Sequence, residues 1–272
     1  MFKIADYAER IDGISILVGT AQCNANCSQC AGRQHRKNAP RRDGEIDAER
    51  MKEVLDYCYA KDCRYITLTG SGEPTLSPRS VTKALEIIKE YGQSGKKFEP
   101  VNLYTNGIRI GFDSAFCEEF LPTWKSLGLT SVYVSAYSGD EIKNTEAFGI
   151  KEYPSFKTIF GWIKKYGFKL RTSVILKRGY VDNCEKFEGL CKKFFALGVD
   201  NISVWPLKNE DDSISELAPS KAELTKMRDF VESYPDRAIR LLLGDSNTKE
   251  MLGKKIALFQ NGEISDVWCA RR

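Results

Sequence analysis

The chain reads as an α/β protein, a partial (β/α)6 TIM-like barrel with a short C-terminal extension. Three observations predict this. Strand-like and helix-like runs alternate along the chain, six such pairs follow one another, and the alternation changes character after Tyr234. Parallel strands joined by helices take right-handed crossovers. Six in succession curl into a barrel open on one side, with its reactive end at the C-terminal ends of the strands.

The first strand, Ile14–Thr20, is a short apolar run ended by Gly19 and Thr20. Tyr65–Thr69, Val101–Thr105, Ser131–Ala136, Leu170–Leu176 and Ile202–Pro206 follow, rich in β-branched and aromatic residues. Between them, Asp47–Lys61 sets Met51, Val54, Leu55 and Cys58 on one helical face, and Arg79–Tyr91, Asp113–Leu127, Pro154–Tyr166, Asn183–Leu197 and Pro219–Tyr234 are amphipathic in the same way. A short apolar run, Ala238–Leu243, then precedes a polar stretch and an Asn261-Gly262 turn signal, which predicts a hairpin in the tail. We expect a barrel core over residues 1–243 and an appended extension over 244–272.

Length and charge narrow the function. With 272 residues, 42% hydrophobic and 29% charged, the chain can bury a large core, and its formal charge of +4 is mild. No stretch approaches the roughly 18 apolar residues of a membrane helix, and Asp6, Glu9, Arg10 and Asp12 stand where a signal peptide would be apolar. The expected location is the cytoplasm. Nine cysteines are many for that compartment, so some of them should bind metal or do redox chemistry.

Cys23, Cys27 and Cys30 lie together in the loop after the first strand. Thiolates are the usual ligands of a [4Fe–4S] cluster, and three of them leave one iron free to bind a substrate or cofactor. A structural zinc site is the alternative, with His35 as fourth ligand, and Cys27-x-x-Cys30 alone would also suit a thiol redox pair that leaves Cys23 idle. At the end of the second strand, Gly70-Ser71-Gly72-Glu73-Pro74 combines two flexible residues with a carboxylate able to accept bonds from a cationic amine. By itself such a segment is only a turn.

Taken together, CxxxCxxC after the first strand and Gly72-Glu73-Pro74 after the second resemble the radical S-adenosylmethionine (radical SAM) superfamily, over about Ile14 to Leu207. The resemblance implies a [4Fe–4S] cluster on Cys23, Cys27 and Cys30, with S-adenosylmethionine chelating the fourth iron. It also implies a Gly72-Glu73 contact to the methionine amine, and candidate cofactor contacts at Asn106, Ser135, Ser173 and Trp205. Two positions depart from the family pattern: Gln29 stands where an aromatic residue usually precedes the last cysteine, and Ser71 replaces a glycine. The implied activity is one-electron cleavage of S-adenosylmethionine to a 5′-deoxyadenosyl radical, which takes a hydrogen atom from the substrate. An external donor of flavodoxin or ferredoxin type would supply the electron.

The basic run Arg33–Arg42 contains Arg36, Lys37, Arg41 and Arg42 and no acidic residue. At the barrel mouth those charges would attract an anionic small-molecule or nucleotide-like substrate, although a solvated surface is the plainer reading. A peptide or protein substrate, including a glycyl radical enzyme to be activated, stays open, as does a non-catalytic iron–sulfur or zinc protein. Cys58, Cys117, Cys184 and Cys191 fall on apolar helix faces and read as core, while an auxiliary cluster would have to draw on Cys184, Cys191 and Cys269.

Overall fold

In the computed structural model, residues 10–209, 213–234, 238–242 and 254–265 are described. Among them, nine strands form one sheet in the order β7-β6-β5-β4-β3-β2-β1-β8-β9, which does not close on itself. The strands are β1 (Ile11–Leu17), β2 (Ile66–Thr69), β3 (Val101–Thr105), β4 (Ser131–Ala136), β5 (Lys169–Leu176), β6 (Asn201–Pro206), β7 (Ile239–Leu241), β8 (Lys254–Leu258) and β9 (Ile264–Ser265). Neighbours from β1 to β7 pair in parallel.

Helices α1 (Ala48–Ala60), α2 (Pro78–Gly92), α4 (Ser114–Ser126), α6 (Phe156–Lys165), α7 (Cys184–Ala196) and α8 (Lys221–Ser233) match the six periodic segments. Asp47, Asp113, Ser155, Asn183 and Ser220 cap five of them by accepting a backbone N–H of the first turn. The short helices α3 (Ile108–Phe112) and α5 (Glu141–Phe148) carry too few turns to show a period. The basic run, expected as open loop, forms a 3-10 helix over Ala31–Asn38.

Alternation along each strand divides the sheet into two faces. Val132, Val134, Leu170, Val174, Ile202 and Val204 are buried against the helices. The opposite face carries Tyr104, Tyr133 and Arg171, then a row in which Ser135 pairs with Ser173 and Ser173 with Ser203. The concave side is therefore polar, unlike the packed interior of a closed barrel. Tyr104 and Tyr133 stack with centroids 4.5 Å apart, and the Arg171 guanidinium lies over the Tyr133 ring.

The first strand begins and ends three residues earlier than expected. Gly19 turns the chain out of the sheet at φ +80, and a side chain there would collide with Ser77. The tail contributes to the main sheet: β8 pairs in parallel with β1, and β9 pairs antiparallel with β8 around Gly262 at φ +83. Cys58, Cys63, Cys117 and Cys191 are buried and Cys184 is half-buried, while Cys269 lies outside the described residues. No helix among the described residues is long and apolar enough to cross a membrane.

Candidate functional site

All three clustered cysteines sit on the irregular segment that follows β1, and five hydrogen bonds fix that segment, four of them to residues that follow other strands. Glu73 N donates to Gln22 O at 2.8 Å, and Asn26 N donates to Phe148 O at 2.7 Å. Asn106 Nδ2 donates to Asn24 Oδ1 at 2.7 Å. Arg33 Nη2 donates to Cys27 O at 2.7 Å, and Lys177 Nζ to Gln29 Oε1 at 2.9 Å. Residues after β2, β3, β4 and β5 thus hold one loop, which is how a backbone without regular hydrogen bonds keeps a defined shape.

Cys23, Cys27 and Cys30 are each half-buried. Burial pushes the Cys27 thiol up to about 12, and the neighbouring Cys30 and Cys23 push the same way, with Arg33 opposing. Burial likewise raises Cys23, where Glu73 and Cys30 add to the rise and Arg36 works against it. Three sulfurs that feel one another, backed by two guanidinium groups, suit a ligand that needs thiolates and brings its own positive charge. The donor set fits an iron–sulfur cluster. The histidine that a Cys3His zinc site would need is engaged elsewhere: the buried His35 ring packs on Phe259 with centroids 4.5 Å apart.

Glu73 is not an open carboxylate. Its Oε1 accepts from Thr105 Oγ1 at 2.6 Å, Thr75 Oγ1 at 2.8 Å and Thr75 N at 3.0 Å, and its Oε2 accepts from Asn106 N at 2.8 Å. Burial pushes its pKa up, and those donors pull it back. Glu73 therefore staples the turn after β2 to the end of β3. What this places beside the cysteine loop is backbone. A Cβ on Gly72 would lie 2.1 Å from Gln22 O and 2.7 Å from Thr20 O, so only glycine allows that approach.

Asn106 is similarly committed. Its Oδ1 accepts from Ile108 N, its Nδ2 reaches Asn24 and lies 4.0 Å from Cys23 Sγ, and its carbonyl accepts from Tyr153 Oη. Ser135 and Ser173 stand side by side on the concave face, and Trp205 pairs with Ile175 one step further along. Arg36 is half-buried and its Nε donates to Ser71 O at 3.2 Å, whereas Lys37, Arg41 and Arg42 are exposed. Two side chains joined the site with no local signal in the sequence: Gln260 Nε2 donates to Ser71 Oγ at 2.9 Å and to Gly19 O at 3.1 Å, and Lys177 reaches Gln29 across 148 residues of chain. Gln260 joins at the position where Ser71 departs from the glycine pattern.

Comparison with known proteins agrees with this geometry. The model of the Radical SAM superfamily matches residues 17–201. A search of curated proteins found no match. Among solved structures, SuiB of Streptococcus suis bound to its precursor peptide SuiA superimposes with a TM-score of 0.68 at 18% identity, covering 95% of this chain and 60% of that one. The AdoMet-bound enzyme anSMEcpe gives 0.55 at 16%, covering 84% of this chain and 64% of that one. A radical SAM methyltransferase from Sphaerobacter thermophilus gives 0.55 at 14%, covering 90% and 68%. The chain thus spans about three-fifths of the length of SuiB. With the cysteine loop, the glycine approach and the open parallel sheet in place, the match over residues 17–201 shows that the chain belongs to the radical SAM superfamily, whose enzymes bind a [4Fe–4S] cluster and S-adenosylmethionine.

Proposed function

We propose that the protein cleaves S-adenosylmethionine by one-electron reduction and uses the resulting radical to take hydrogen from an anionic small-molecule or nucleotide-like substrate, in the cytoplasm, with an external electron donor of flavodoxin or ferredoxin type. One observation carries it: the loop of Cys23, Cys27 and Cys30 is fastened to the Gly72-Glu73 turn, so that both face the same end of the sheet. The cofactors supply the radical chemistry, and the chain supplies orientation and exclusion of water. Cys23, Cys27 and Cys30 offer the thiolates. Backbone carbonyls around Gly72, held by Glu73, are positioned to accept from the cofactor amine, and the polar groups of Ser135 and Ser173 face the concave side to orient the remainder. Trp205 at the β6 end offers a backbone edge and a ring to the adenine. Asn106 serves by fixing Asn24 beside Cys23.

The exposed Lys37, Arg41 and Arg42, with Arg36 behind them, supply the field that favours an anion. A peptide substrate is the second reading, favoured by the likeness to SuiB, solved with a precursor peptide. A purely electron-carrying or zinc-binding role leaves the polar concave face and the Gly72 approach without a purpose.

The test is anaerobic reconstitution followed by dithionite and S-adenosylmethionine. Protein holding about four irons should release 5′-deoxyadenosine, and the Cys23→Ala, Cys27→Ala, Cys30→Ala triple variant should lose both iron and product. Iron retained by the triple variant, or no product from the loaded protein, would overturn the proposal.

A further inference from the structure

The two arginines behind the cysteine loop face a task that the reaction itself does not name. Adding an electron to an iron–sulfur cluster increases its negative charge, and the potential at which this happens follows local charge, hydrogen bonding and solvent exposure. Arg33 and Arg36 both project from the 3-10 helix Ala31–Asn38, which starts at the residue after Cys30. Arg33 binds Cys27 O at 2.7 Å and Asn26 Oδ1 at 3.4 Å, so its charge is tied to the backbone of a ligand residue. Arg36 binds Ser71 O at 3.2 Å, on the glycine-containing turn that meets the other side of the loop. The nearby Glu73 is buried and acts in the opposite electrostatic sense.

Resting on the reading that Cys23, Cys27 and Cys30 hold the cluster, we propose that Arg33 and Arg36 are positioning residues that hold two fixed positive charges against that loop and thereby make the cluster easier to reduce. The electron comes from the external donor or from dithionite, and the guanidinium groups stay protonated throughout. Their attraction is stronger for the reduced cluster than for the oxidised one because the reduced cluster carries one more negative charge. Arg36 is half-buried and Arg33 exposed, so salt should screen the Arg33 contribution more than that of Arg36. Hydrogen bonding alone could be met by an uncharged amide. Charge is what the potential would register.

Full-length protein, reconstituted with its cluster, would be titrated electrochemically and followed by electron paramagnetic resonance, with iron counted per chain. The R33Q/R36Q variant should keep about four irons and show a reduced-to-oxidised ratio about tenfold lower at fixed poise, equivalent to a midpoint about 59 mV lower for one electron. R33K/R36K should stay within about twofold of the parent. Raising the salt should shrink the R33Q effect more than the R36Q effect. An unchanged midpoint in R33Q/R36Q overturns the proposal, and so does an equal shift in the Gln and Lys variants, because that would assign the effect to bond geometry. If the double variant loses its iron, R33Q and R36Q carry the same measurement separately, and loss of iron in all of them would make the arginines structural ties and overturn it too.

Discussion

Replacing Glu73 with Gln keeps the shape of the side chain and changes its hydrogen-bond grammar. The carboxylate accepts four bonds, three at Oε1 and one at Oε2, and two of the donors are the backbone N–H groups of Thr75 and Asn106. An amide has one oxygen. With that oxygen at the Oε1 position, the new NH2 faces Asn106 N–H at the 2.8 Å site; flipped, it faces Thr75 N–H at the 3.0 Å site. The threonine hydroxyls can rotate and accept, but a backbone N–H cannot. Either orientation leaves a buried donor without an acceptor, at about 1–3 kcal/mol, and gives up charge-assisted bonds worth about 1.5–3 kcal/mol each; removing a buried charge returns part of that. A net loss of about 3 kcal/mol is expected, which for a protein of this size is roughly 6–12 °C in Tm. Thermal unfolding of the apo-protein under anaerobic conditions, read by far-UV circular dichroism, measures it. Calorimetry on the reconstituted protein should show weaker S-adenosylmethionine binding as well, because the turn carrying the Gly72 backbone is loosened. A Tm within about 1 °C of the parent would refute the inference that Glu73 staples the turn after β2 to the end of β3. Unchanged stability with lost affinity would instead mark it as a direct cofactor ligand.

Two further tests concern the backbone approach and the charged surface. Gly72→Ala should destabilise the cysteine loop by more than the usual 1–3 kcal/mol of overpacking, since the collision is with backbone at Gln22 and Thr20, whereas Gly161→Ala in α6, where a Cβ meets nothing within 4 Å, should be neutral or stabilise by up to about 1 kcal/mol. Comparable melting curves for the two variants would sink the close-approach argument. Changing Lys37, Arg41 and Arg42 together to Gln should impair turnover of an anionic substrate, while S-adenosylmethionine cleavage without substrate continues. Raising ionic strength should slow the parent more than this variant, because such a field is screened within about 8 Å at physiological salt. Equal salt sensitivity would make the run a solvated surface.

Much of this protein was decided within short stretches of chain. The alternation of strand and helix periods depends on residues a few positions apart, and so does the spacing of Cys23, Cys27 and Cys30 on one loop. Residues 108–112 and 141–148 form helices too short for a period to register. The Asn261-Gly262 turn is also local, and the hairpin formed where that dipeptide predicts it. Partnerships between distant residues were another matter. Nothing near Glu73 in sequence indicates that Thr105 and Asn106 would occupy its oxygens, and nothing near Ser71 indicates Gln260. The pairing of β8 with β1 likewise joins segments more than two hundred residues apart. Propensity and periodicity act through neighbours on the chain, whereas a buried carboxylate is satisfied by whichever donors the folded sheet brings to it. The sequence by itself therefore determined which chemistry-bearing residues exist and at which strand ends they stand. Only the tertiary structure decided which of them are spent on holding the loop and which still face the open, polar side of the sheet.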